Sequence, residues 1–198
     1  MISLHTEAPF SGVAVSSDGQ HRCGDFCGAG TSAPPAVYFD LDVVEFASPI
    51  FARPLPAGTR ASHVFRSGAV YSGQWMGLHR HGVGTQTWRD GSSYAGSWRG
   101  NKAEGRGIFT FADGVVYIGE WRNNNFHGVG AYRGGSETLY LGEWRDGSRS
   151  GLGVEETGGA PVTWYGGNFR NGVKEGFGTC IWPDGSEYAG QWRENQIM

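Results

Sequence analysis

Tyr71-Ser-Gly73-Gln-Trp75 opens a phrase that the chain then repeats. After six further residues comes Gly82-Val-Gly84, and the phrase closes on Trp88-Arg-Asp90-Gly91. It restarts at Tyr94-Ala-Gly96-Ser-Trp98, Tyr117-Ile-Gly119-Glu-Trp121, Tyr140-Leu-Gly142-Glu-Trp144, Tyr165-Gly-Gly167-Asn-Phe169 and Tyr188-Ala-Gly190-Gln-Trp192. The offsets between starts are 23, 23, 23, 25 and 23 residues. A fixed period of this size marks a repeat architecture.

Each unit offers two short extended segments and two turns. Tyr71, Gly73 and Trp75 share one face of the first segment, with Ser72 and Gln74 opposite. The second segment, His81 to Trp88, is rich in Thr and ends on an aromatic. Asp90-Gly91, Asp113-Gly114 and Asp184-Gly185 are tight-turn dipeptides, and Asn123-Asn-Asn125 suits the other turn. No apolar spacing of three or four residues runs long enough for a helix. The unit is therefore a β-hairpin, and the predicted fold class is all-β: one elongated, single-layer antiparallel sheet of repeated 23-residue hairpins. The predicted repeats are 71–93, 94–116, 117–139, 140–164 and 165–187, with a partial copy at 188–198. Residues 62–70 read as the second half of a degenerate copy, because His63-Val-Phe65 and Gly68-Ala-Val precede Tyr71 as Ile108 to Val116 precede Tyr117. The repeat domain is thus expected over 61–198. Residues 1–60, broken by Gly and Pro, are expected to be largely disordered, with one strand near 37–46 that caps the array.

The glycines explain how one layer can hold together. Gly73 lies between two rings, and Gly82 and Gly84 have no side chains to oppose them, so a ring can lie flat over the backbone of the next strand. Counting by twos puts Trp88 on that face, with Phe111 and Trp182 in its place elsewhere. The Tyr, Trp and terminal aromatics then form a stacked stripe: Tyr71, Trp75, Trp88, Tyr94, Trp98, Phe111, Tyr117, Trp121, Tyr140, Trp144, Tyr165, Phe169, Trp182, Tyr188 and Trp192. Each ring buries about 150–250 Å². The other face is thinner, with Val83, Ile108, Val129, Leu152 and Phe177 in or beside each Gly-x-Gly.

Composition narrows the function. The chain has 198 residues, 35 of them Gly, with 8 Trp, 8 Tyr and 11 Phe; so many rings argue against a wholly disordered chain. Net charge is −3. Residues 1–70 hold 4 Lys/Arg against 6 Asp/Glu, and residues 71–198 hold 12 against 13, so no part is a basic surface of the kind nucleic acid requires. Three Cys, an odd number, do not make a disulfide framework, and a reducing compartment, the cytoplasm, is expected. The first residues carry no signal-peptide pattern, and no run of apolar residues is long enough for a spanning helix.

These residues resemble the MORN repeat, the membrane occupation and recognition nexus motif: Tyr-x-Gly-x-Trp, a short turn, His-Gly-x-Gly, then an aromatic and Asp-Gly. The resemblance covers 71–198 and departs from the pattern at Phe169, at Gly134-Gly135 and at Glu155 to Pro161. At these departures the aromatic stripe is expected to break and the second turn to bulge. The resemblance implies a binding and scaffolding module, of the kind found in cytoskeletal and membrane-associated assemblies and appended to phosphatidylinositol phosphate kinases.

Catalysis finds little support. His81 and His127 of the His-Gly pair are replaced by Glu104, Ser150 and Glu175 in other copies, which suits an exposed turn boundary and not a proton-transfer site. Cys23 and Cys27 with His21 lack a fourth ligand for zinc. No nucleophile elbow, phosphate loop or HExxH stretch is present. The expectation is no enzyme, catalytic residue, metal or cofactor, but a scaffold whose aromatic stripe binds a protein partner, such as a helical segment. The half copy at 188–198 is expected either to leave an unpaired sheet edge through which two chains pair as a homodimer, or to continue in a longer protein. The alternatives are a peripheral module on phosphoinositide lipids and the targeting region of a longer enzyme.

Overall fold

The computed structural model describes residues 59–135, 138–158 and 161–198. The expectations for residues 1–58, including the strand near 37–46 and the Cys23 and Cys27 pair, lie outside the described residues. The strands are β1 (Thr59–Val64), β2 (Val70–Met76), β3 (His79–Thr87), β4 (Ser93–Arg99), β5 (Lys102–Thr110), β6 (Val116–Arg122) and β7 (Asn125–Arg133). There follow β8 (Leu139–Arg145), β9 (Ser148–Thr157), β10 (Thr163–Arg170), β11 (Val173–Ile181), β12 (Glu187–Arg193) and β13 (Gln196–Ile197). They form one open antiparallel sheet in chain order, each strand pairing with its neighbours in sequence. The predicted all-β hairpin array is what forms.

Two devices set the register. Within the hairpin, Gly73 pairs with Gly84 but Trp75 pairs with Arg80, so Gln74 faces His81, Gly82 and Val83. The two extra residues preserve the alternation, and the bulge turns on Gly82 at φ 67°. The side chain before the Trp satisfies the bulge: Gln74 Oε1 accepts from Val83 N–H at 2.8 Å, and Glu143 Oε1 from Leu152 N–H at 3.2 Å. Between hairpins, the two-residue turn reaches back one repeat. The N–H groups of Asn101, Asn124, Gly147, Gly172 and Asn195 donate to the carbonyls of Arg80, Ala103, Phe126, Arg149 and Lys174 at 2.9–3.1 Å. Where Asn stands there, its Oδ1 also accepts from the earlier strand, as Asn124 does from Ala103 N–H at 2.7 Å. Asn124 holds φ at 68°, a left-handed value that Asn tolerates.

Three of the other turns are closed by aspartates, Asp90, Asp113 and Asp184. Asp90 Oδ1 accepts from Ser92 N–H and Oγ–H at 2.9 and 2.6 Å, and Asp184 does the same with Ser186. These bonds hold both carboxyls below the usual aspartate range.

Candidate functional site

The aromatic stripe is the interior of the molecule. Tyr71, Tyr94, Tyr117, Tyr140 and Tyr165 are fully buried, as are Trp98, Trp121, Trp144, Phe169 and Trp192 to within a few per cent. Trp75, Trp88, Phe111, Trp182 and Tyr188 are partly buried and pack on this core. Each Tyr lies over the glycines of its own and the next strand: a Cβ added at Gly107 would sit 2.5 Å from Cζ and Cε2 of Tyr94. Each Tyr hydroxyl donates to the carbonyl three residues on, as Tyr94 does to Ser97 at 3.0 Å.

Along the zigzag of Tyr with Trp or Phe169 the rings meet edge to face, not stacked in parallel. Tyr94 contacts Trp98 of its own repeat and Trp121 of the next, at centroid separations of 5.0 and 4.9 Å. The same zigzag passes through Tyr140, Phe169, Tyr165 and Trp192 at 5.1–5.2 Å. The expected break at Phe169 therefore does not occur, because a phenyl edge still reaches both tyrosines. Indole N–H groups lock successive repeats together. Nε1 of Trp98, Trp121, Trp144 and Trp192 donates to the carbonyls of Gly84, Gly107, Gly130 and Gly178 at 3.0–3.1 Å. Burial pushes the phenols of Tyr71 and Tyr165 up to about 12, against the opposing pull of Arg80 on Tyr71, and raises Tyr94, Tyr117 and Tyr140 as well. The tyrosines are neutral packing groups.

Two inward positions complete this face. Arg80, Ala103, Phe126, Arg149 and Lys174 occupy one, and Gln86, Phe109, Tyr132, Glu155 and Cys180 the other. Their identities vary so much that repeat comparison hides them, although the parity of Gly84 places residue 86 on the same face. In the middle repeats they are apolar: Phe126 stacks on Tyr117 at 3.7 Å. Beside Phe169 they are ionic. Glu155 pairs with Arg149 and, at 3.0 Å, with Lys174. Burial alone would raise the Glu155 carboxyl, but the two cations and their hydrogen bonds outweigh it and hold it below its usual range. The Lys174 ammonium also sits 4.6 Å from the Tyr165 centroid.

At the His-Gly positions, the copies that carry Glu clasp the next turn. Glu104 accepts from Asn123 N–H at 3.0 Å and Glu175 from Glu194 N–H at 3.1 Å, while His127 Nδ1 lies 4.0 Å from Asp146. Nδ1 of His81 and of His127 has no hydrogen-bond partner among the described residues, so it is the glutamates that hold a turn at this place.

The outer face carries what remains accessible. Cross-strand pairing aligns Ile108, Ile118, Ala131, Leu141 and Val154 in one row from β5 to β9, ending at Gly166. A Cβ at Gly166 would lie 2.5 Å from Trp164 Cη2, so the Trp164 ring covers that glycine and continues the apolar surface. Below this row stand Val129, Leu152 and Phe177, which are 51%, 62% and 65% exposed. Beyond them, at the edge formed by the two-residue turns, lie Arg99, Arg122, Arg145, Arg170 and Arg193, one per repeat and all exposed. None of these arginines has an ion-pair partner among the described residues.

Among the described residues no group of three His, Cys, Asp or Glu side chains could hold a metal ion, and no helix is long and apolar enough to cross a membrane. No curated protein matches the sequence. The family model described as the MORN repeat matches residues 71–93, 94–116, 117–138, 140–158, 165–187 and 188–198, well over half of the chain. These six matches coincide with the hairpins whose Tyr, Gly and Trp build the interior, and the chain belongs to the MORN repeat family.

Proposed function

We propose that the protein is a non-enzymatic scaffold that binds another protein. A MORN array is a binding module, and one observation supports the protein-binding reading: the sheet spends its aromatic face on its own cohesion and leaves an apolar outer face with no second layer over it among the described residues. Exposed contiguous apolar surface of this kind usually marks an interaction site. The accessible rims of the inner face, Trp75, Trp88, Phe111, Trp182 and Tyr188, add aromatic anchors at its margins.

The exposed arginine row favours a second reading, a peripheral module that meets phosphoinositide headgroups. Flotation of the full chain with phosphoinositide-containing vesicles at physiological ionic strength separates the two. The scaffold reading expects the chain to stay with the soluble fractions. A chain that floats, and is released as salt rises, overturns it in favour of the membrane module.

A further inference from the structure

We propose that the open edge of β1 is the docking site for an acidic segment of this same chain, residues 37–46, which adds there as one further antiparallel strand. This covering of the array's end is independent of which partner the outer face takes.

The edge is unpaired backbone. β1 (Thr59–Val64) begins the described sheet and pairs with β2, so the N–H and C=O groups on its other side have no strand against them among the described residues. An open edge of this kind accepts an added strand. Val64, at the end of β1, is 65% exposed.

The aromatic interior is also less covered at this end. Each later Trp, and Phe169, receives the tyrosine of the repeat before it: Tyr71 meets Trp98 at 5.5 Å, and Tyr94 meets Trp121 at 4.9 Å. Trp75 has no such tyrosine among the described residues, because residues 59–70 contain none. His63 and Phe65 stand on that side, with centroids 5.6 and 6.4 Å from Trp75. His63 is exposed and Trp75 is partly buried, whereas Trp98 and Trp121 are closed off. The terminal unit of a repeat array needs a cover.

Pattern, reach and charge select the occupant. Residues 37–46 lie outside the described residues, and their sequence alternates: Val37, Phe39, Leu41 and Val43 share one parity, Asp40 and Asp42 the other. The apolar parity suits the aromatic face, with Phe39 as a ring for the His63 and Trp75 end. Residues 47–58 join the segment to β1. A connector of that length reaches about 40 Å and β1 is about 20 Å long, so the chain can turn back along the edge. Pro49, Pro54 and Pro56 fall in the connector, outside the segment whose ladder they would interrupt. Charge is complementary. Between Thr59 and Arg89 stand Arg60, Arg66, Arg80 and Arg89 and no Asp or Glu, while residues 37–46 carry Asp40, Asp42 and Glu45 and no Lys or Arg. The short tether holds this segment near the edge at an effective concentration on the order of millimolar, an advantage that a second copy lacks.

The test uses the nitrogen-labelled full chain. Amide hydrogen exchange followed by NMR is expected to be at least about 100-fold slower over 37–46 than in an unstructured chain, and Overhauser contacts are expected between 37–46 and 59–64. Leu41→Pro, which removes a ladder donor, is expected to abolish both and to leave the amides of β4 to β9 protected. Asp40→Lys with Asp42→Lys is expected to lower the protection of 37–46 by about threefold or more, and raised salt to do the same in the unaltered chain. Exchange over 37–46 at the unstructured rate, contacts with a strand other than β1, or protection that either variant leaves unaltered overturns the inference. So does a dimer by light scattering whose dissociation on dilution removes the protection, which assigns the edge to a second copy.

Discussion

A single methyl group placed under a tyrosine should loosen the whole array. In Gly107→Ala the new Cβ meets Tyr94 Cζ and Cε2 at 2.5 Å, far inside van der Waals contact. Gly107 carries no left-handed φ, so the penalty is one of space, not of backbone conformation. Tyr94 is fully buried and cannot swing aside without losing its bond to Ser97 and its edges on Trp98 and Trp121. Overpacking costs about 1–3 kcal/mol. The hydrogen bond adds about 1 kcal/mol, and each ring contact about 0.5–1.5 kcal/mol. We expect Gly107→Ala to lose roughly 2–4 kcal/mol of unfolding free energy. Urea denaturation followed by circular dichroism measures it. Gly135→Ala, where a Cβ meets nothing within 4 Å and φ is not left-handed, is the control and should be neutral. In a Tyr94→Ala background the same Gly107→Ala change should cost under about 0.5 kcal/mol, because the clash is gone. A Gly107→Ala protein as stable as the parent, or an equal loss in both backgrounds, would refute the reasoning.

Other consequences follow from the same contacts. Trp121→Phe gives up the 3.1 Å bond to Gly107 O, whereas the Trp75 indole nitrogen has no partner among the described residues; Trp121→Phe should therefore cost about 1 kcal/mol more than Trp75→Phe in the same urea assay. Asn124→Ala loses the Ala103 bond and strains a left-handed position, for about 2 kcal/mol, while Asn124→Gly should cost only about half as much, as Gly147 and Gly172 already stand in that place; thermal melts rank the two. Glu155→Gln strands two cations and should cost about 3 kcal/mol near neutral pH. Because the folded Glu155 carboxyl lies below its ordinary value of 4.5, the stabilisation is present above that pH and fades as pH falls through the folded value. The gap between parent and Glu155→Gln should hold steady from neutral to about pH 5 and close in more acid urea titrations.

Much of this fold could be read directly from spacing. Tyr, Gly and Trp recur because geometry constrains each of them. The ring needs bare backbone beneath it, and the indole needs the glycine carbonyl of the repeat before. Those constraints repeat, so they show. The residues at 80 and 86 and their counterparts face inward too, but they only fill space above the rings. Arg with Gln, Ala with Phe, Phe with Tyr and Arg with Glu all do so, and no shared residue type marks them. Parity would have found them; repeat comparison could not. The stripe was legible as a set of residues but not as a closed interior, because burial depends on the bulge at Gly82 and on how tightly the tyrosines settle on the glycines. The arginine row lay within reach of repeat comparison, because Arg99, Arg122, Arg145, Arg170 and Arg193 each follow the Trp or Phe that closes the first strand, but a charge count along the chain, in which arginines balance Asp and Glu, does not show it.

If the aromatic stripe is the molecule's interior and partners meet its other surfaces, the indoles must be shut away from solvent and held. Hydrogen exchange of the indole N–H groups, followed by NMR on the nitrogen-labelled full chain, reads this out residue by residue. Exchange should be slow at Trp98, Trp121, Trp144 and Trp192, whose N–H groups are held by glycine carbonyls, and faster at Trp75, whose nitrogen has no partner among the described residues. Exchange at all five at the rate of a free indole would mean that the stripe is an open groove, and would contradict a closed aromatic interior.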